Sequence, residues 1–199
     1  MCKHWTGLYL IVLVGTCAAT SKVFANIAIN VVQVGPNVVL TGSGTVNTTA
    51  LSLRGTGAAT AEVVPTAGIL VAGPATTTTY DVFSGPAGPT DFGTGVYYPA
   101  NTGSGDAVGI VSQGLIVPIG YTSGATLSDT DVYSGVSLAN LGLTPGTYVY
   151  SWGAGPTADS LTINVGTVPE PASLAMLGVS AAIALLRRRR GIVAGAGKG

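Results

Sequence analysis

Between residues 26 and 167, the extent of the expected β-rich extracellular module, the apolar residues fall in short runs, several of them alternating with polar residues, and glycine, proline, asparagine and serine separate the runs. Alternation sends successive side chains to opposite faces of an extended chain, so such runs mark strands and the punctuation marks turns. Strands are predicted over 27–34, 38–41, 80–83, 108–112, 115–121, 147–152 and 160–165. In the sixth, Tyr148, Tyr150 and Trp152 share one face; in the seventh, Leu161, Ile163 and Val165 share one face with Thr162 and Asn164 opposite. Burying faces of this kind requires a second layer. The expected fold is therefore all-β, a β-sandwich or jelly-roll-like module. No stretch of the middle carries the period of an amphipathic helix. The pentapeptides Asp81-Val82-Phe83-Ser84-Gly85 and Asp131-Val132-Tyr133-Ser134-Gly135 are near copies, a short match in a chain rich in serine and glycine.

The two ends follow other rules. Lys3 and His4 precede an apolar run over 7–19, and Val23 and Ala25 place small residues where a signal peptidase reads them. Residues 1–25 are expected to form a signal-peptide helix, removed between Ala25 and Asn26, which makes signal peptidase and the secretion machinery the first partners. The apolar run is shorter than the roughly 20 residues a permanent span needs. Thr16 before Cys17 is bulky for a lipid-attachment box.

At the other end, residues 168–190 read VPEPASLAMLGVSAAIALLRRRR and divide into three parts. Pro169 and Pro171 bias their neighbours towards extended chain, which a protease can grip. Residues 172–186 are apolar and helix-compatible, yet at 1.5 Å per residue they cover only about 22 Å of a roughly 30 Å hydrocarbon core. Such a short transmembrane helix suits temporary retention. Arg187, Arg188, Arg189 and Arg190 then stop transfer, because positive residues stay on the cytoplasmic side.

Pro169, Glu170 and Pro171, the short span and the arginine cluster, in that order, closely resemble the PEP-CTERM sorting signal of exported bacterial proteins. The resemblance implies recognition by an exosortase-like processing enzyme that removes the tail. It covers about the last tenth of the chain, and the extension over 191–199, a flexible tail, is a departure from the family pattern. The closing segment of the body also looks like that of a recurrent group of secreted proteins carrying this tag. That group lends support to fold and sorting and supplies no reaction.

The formal charge of zero conceals a division, since the bases sit at the ends. Between residues 26 and 168 the single base Arg54 faces Glu62, Asp81, Asp91, Asp106, Asp129, Asp131 and Asp159. An acidic body without a basic stripe excludes nucleic acid as a partner. Cys2, Cys17 and His4 all leave with the signal peptide, so the mature body has no disulfide, no Cys–His or Ser–His–Asp chemistry and no histidine-ligated zinc.

Ser128-Asp129-Thr130-Asp131 is the densest acidic spot, readable as two hard-oxygen ligands for calcium or as an Asp-rich turn. Tyr97, Tyr98, Tyr148, Tyr150 and Trp152 could stack on sugar or pack the core. On the sugar reading, Tyr148, Tyr150 and Trp152 are the candidate ligand contacts, and Trp152→Ala weakens retention on matrix with the fold intact. Asn47-Thr48-Thr49 has glycosylation spacing. Gly42, Gly44, Gly55 and Gly57 read as turn glycines, because neither a lysine nor a helix follows to make a phosphate cradle. No catalytic residue, cofactor or metal is assigned. The expectation is an exported, non-enzymatic protein of the cell surface or extracellular matrix, membrane-tethered before C-terminal cleavage and associated with exopolysaccharide. The competing readings are a secreted carbohydrate-active enzyme and a permanently tail-anchored surface protein.

Overall fold

In the computed structural model, which describes residues 26–166, the chain forms thirteen strands. They are β1 Asn26–Val34, β2 Asn37–Thr45, β3 Ser52–Ala59, β4 Glu62–Val64, β5 Ile69–Ala72, β6 Thr78–Ser84 and β7 Tyr98–Pro99, then β8 Thr102–Gly105, β9 Val108–Val111, β10 Gly114–Pro118, β11 Thr126–Tyr133, β12 Gly146–Trp152 and β13 Asp159–Val165. The first sheet has six strands in the order β12-β13-β1-β2-β11-β8, and the second has seven in the order β3-β6-β10-β9-β5-β4-β7. Among the described residues no helix is long and apolar enough to cross a membrane. The expected signal-peptide helix, the sorting segment and the 191–199 tail lie outside the described residues.

Both sheets contribute to one core. Ile27, Ile29 and Val31 of β1, Val38 and Leu40 of β2 and Leu161, Ile163 and Val165 of β13 pack with Val63, Leu70, Val108, Ile110, Leu115 and Val117 from the second sheet. The period-two pattern of the sequence is thus the division between an inner and an outer face. β10 departs from alternation because it is buried on both sides: Leu115 and Val117 face the main core, while Ile116 joins Val71, Tyr80 and Ala107 in a smaller cluster. A central strand covered on both faces reads as a continuous apolar run.

Two predicted strands are shorter than the apolar pattern suggested. Pro118 lacks an N–H and ends β10, and Tyr121 folds back to donate to the Pro118 carbonyl at 3.0 Å. β9 ends at Val111, because Ser112 and Gln113 take φ of 47° and 64° to make the hairpin turn into β10. β3, β4, β5, β7, β8 and β11 are strands beyond the seven predicted. Gly42, Gly44, Gly55 and Gly57 lie inside β2 and β3, which corrects their reading as turn residues. Gly42 leaves room for Asp129, whose carboxylate a Cβ would strike, and Gly57 lies under the Tyr80 ring. The two near-copied pentapeptides begin in β6 and β11, each the second strand from a sheet edge.

Candidate functional site

The last strand is an interior one. β13 runs antiparallel to β12 and parallel to β1, with Asn26 opposite Ser160 and Val31 opposite Val165. Gly166 then turns the chain out of the sheet at φ 68°, a left-handed conformation suited to glycine, while its N–H donates to the Val31 carbonyl at 2.8 Å. The surrounding loops are tied down by one side chain. Gln33 Nε2 donates to the carbonyls of Gly35 and Asn37, each at 3.0 Å, and of Val136 at 3.2 Å, while Gln33 Oε1 accepts from Leu138 N–H at 3.0 Å. Beyond β12, Ala87 and Ser151 exchange two backbone hydrogen bonds of 2.9 Å, covering an edge that would otherwise be open. Residues 33–37 and 134–146, which border this exit, contain no charged side chain.

The segment beyond this exit decides the assignment. Residues 167–190 match the family model of the PEP-CTERM protein-sorting motif. The chain carries a PEP-CTERM motif. No curated protein and no solved structure matches the chain. Pro169, Glu170 and Pro171 and the Arg187, Arg188, Arg189 and Arg190 cluster all fall in the matched stretch, outside the described residues. The PEP-CTERM motif supports an exported protein, processed by an exosortase-like enzyme and delivered to the cell envelope or surface. Two residues separate Gly166 from Pro169, a reach of at most roughly 10 Å. Ala25 lies outside the described residues, and Asn26 is already the first residue of β1.

The structure turns the aromatic face of β12 inward. Tyr150 is 0% and Trp152 5% exposed, and both belong to the main core. Register explains the direction: Tyr148 is opposite Ile163 and Tyr150 opposite Leu161, the inner residues of β13. Trp152 Nε1 donates to the Asn47 carbonyl at 2.9 Å, Tyr148 OH to the Thr144 carbonyl at 2.8 Å, and the Tyr148 ring meets Phe92 edge-on at 5.9 Å. As a correction, Tyr150 and Trp152 are packing residues, with Tyr148 half-buried beside them, and the fold presents no sugar-stacking surface made of this set. Burial, Asp91 and Tyr148 push the Tyr150 hydroxyl up to about 12. Tyr98 packs against Tyr133, whereas Tyr97 stands exposed.

Asp129 and Asp131 are also not where a turn would put them. Both lie on β11 with side chains on its inner face, between Leu127 and Tyr133, at 3% and 0% exposure. Two carboxylates thus sit in the interior, against Gly42 and Gly103. The Gly73 N–H reaches both Asp131 oxygens at 3.3 Å. Neither Asp129 oxygen has a hydrogen-bond partner of acceptable geometry, although the nearby Gly42 amide partly opposes the upward shift of its pKa. Burial, above all, raises Asp129 to about 7 and Asp131 to about 8, the latter helped by the neighbouring Asp129 charge. The Tyr133 hydroxyl, buried without a partner, is pushed up by burial and then by Asp131, Glu62 and Asp129. Among the described residues no three metal-binding side chains of His, Cys, Asp or Glu converge.

Asn47 serves a structural turn. Its side-chain oxygen accepts from Thr49 N–H at 3.0 Å and Ser123 Oγ at 3.3 Å, and its own N–H donates to Asp159 at 2.5 Å. The polar interior of β11 escaped sequence reading, though its signal is present: Leu127, Asp129, Asp131 and Tyr133 alternate with Thr126, Ser128 and Thr130.

Proposed function

We propose that this is a non-enzymatic surface or matrix module. It is exported by the secretory route with cleavage between Ala25 and Asn26, tethered for a time by its C-terminal segment, released by an exosortase-like enzyme, and associated outside with exopolysaccharide. The observation that carries the reading is the PEP-CTERM motif, whose Pro169 stands four residues beyond the end of an interior strand. Cleavage there severs the tail without touching a ladder hydrogen bond, so the module outlives its own sorting. Cleavage before Asn26 would likewise leave β1 whole. The closure of Asp129 and Asp131 to solvent favours a packed module over a glycoside hydrolase, whose two carboxylates must face an open cleft.

Replacing Pro169, Glu170 and Pro171 together by alanine tests the sorting step. The variant is expected to accumulate in the membrane fraction of the native host, with the 187–190 arginines still attached when its mass is read. Release equal to that of the unaltered protein would contradict the reading.

A further inference from the structure

Arg54 is the only basic side chain among the described residues, and the fold treats it unusually. β3 pairs with β6 through Leu53 opposite Phe83 and then Gly55 opposite Val82, so Arg54 is the extra residue of a β-bulge. Bulges bend an edge strand and re-aim a side chain. Gly55, at φ 143°, supplies the backbone freedom this requires. Here the bulge lies beside a groove of about 380 Å³ on the outer face of the second sheet, lined by Arg54, Gly55, Thr56, Val82, Val111 and Ser112.

The opposite wall is equally particular. The β9–β10 hairpin turns through Ser112 and Gln113 in left-handed conformations, where Asn-Gly would be the unstrained choice. Strain of this sort persists where surrounding structure enforces it, and it concentrates at binding and switch sites. Val82 and Val111 bring an apolar strip that continues into the cluster of Val71, Tyr80 and Ile116. No carboxylate lines the groove. A lone guanidinium, the Ser112 hydroxyl and an apolar strip form a set that suits one kind of ligand.

We propose that this groove binds a carboxylate-bearing sugar unit of an acidic polysaccharide, a site that rests on the reading of the module as a partner of exopolysaccharide. The Arg54 fork takes the carboxylate two-pronged, Ser112 takes a sugar hydroxyl, and the apolar face of the ring lies on Val82 and Val111. Because Glu62, Asp81, Asp91 and Asp106, the acids that reach the surface, repel anions elsewhere, the negative chain is directed to this one place, with an affinity that falls as salt rises.

Affinity electrophoresis of the exported protein in gels containing polygalacturonate, with uncharged dextran as control, tests the site. Polygalacturonate is expected to retard the wild type more at low salt than at high, and dextran to leave it unmoved. Arg54→Gln should weaken the apparent affinity at least tenfold, Arg54→Lys should be intermediate, and thermal unfolding of both should match the wild type because Arg54 is exposed on an edge strand. Wild type that ignores polygalacturonate, or Arg54→Gln that binds as well as wild type, would overturn the proposal. Co-sedimentation with matrix from the native host separates the two levels. Equal sedimentation of wild type and Arg54→Gln sinks the groove and leaves the matrix reading standing; failure of both to sediment sinks the matrix reading and the groove with it.

Discussion

The denaturation midpoint of the mature module will fall as pH is raised from about 4 through about 8, the reverse of ordinary acid denaturation. The cause is the buried pair on β11. In the folded state Asp129 and Asp131 hold their protons up to about 7 and about 8, against 3.8 for an ordinary aspartate. Below the ordinary value both states are protonated and the contribution to stability is complete. Above it the unfolded chain ionises first, and folding loses about 1.4 kcal/mol per pH unit per group until the folded carboxyl also ionises. For Asp129 alone the loss is on the order of 4 kcal/mol. The figure for Asp131 is not added, because the two titrate together. Asp106 and Glu62 are the other acids whose charges act on this interior, on Asp129 and on Tyr133 respectively, and both push in the same direction. Asp129→Asn, neutral and nearly the same shape, is expected to flatten the dependence and to exceed the wild type in stability above about pH 7. A midpoint constant between pH 4 and 8, or one that rises with pH, would refute this account of the pair.

Trp152→Ala is expected to cost about 3–5 kcal/mol, the range for removing a large buried aromatic side chain. The side chain is 5% exposed, packed in the main core, and holds the Asn47 carbonyl. Against a total stability of about 5–15 kcal/mol, that loss leaves little margin. The expected readout is a large drop in the denaturant midpoint and a poor yield of exported protein, whereas Trp152→Phe, which gives up the hydrogen bond but keeps most of the packing, should lose far less. A variant with an unchanged midpoint would mean that Trp152 lies outside the core. The consequence for function is direct, because weaker matrix retention by Trp152→Ala reports unfolding, not a lost sugar contact.

The sorting motif was legible because its parts are chemically distinct and contiguous: two prolines around a glutamate, an apolar stretch, four arginines. The inner strands were legible for a related reason, since Ile27, Ile29 and Val31 or Leu161, Ile163 and Val165 alternate cleanly. Side-chain direction and polar interiors were not. Whether Tyr150 and Trp152 face in or out depends on the register with β13, a relation between strands that one strand does not contain. Asp129 and Asp131 look like turn formers because buried carboxylates are rare. β3 and β8 are glycine-rich and mostly exposed, so their burial pattern offered no contrast to read. Glycine in those strands makes sense only once its neighbour is known, as with Gly103, where a Cβ would meet Asp131 and the Gly73 carbonyl.

The central claim is a module exported and trimmed at both ends, and the intact mass of the protein from the native host's surface and medium tests it most directly. The expected species begins at Asn26 and ends in the neighbourhood of Pro169, Glu170 and Pro171. A mass that still includes Arg187, Arg188, Arg189 and Arg190 would contradict the claim and make this a permanently anchored protein.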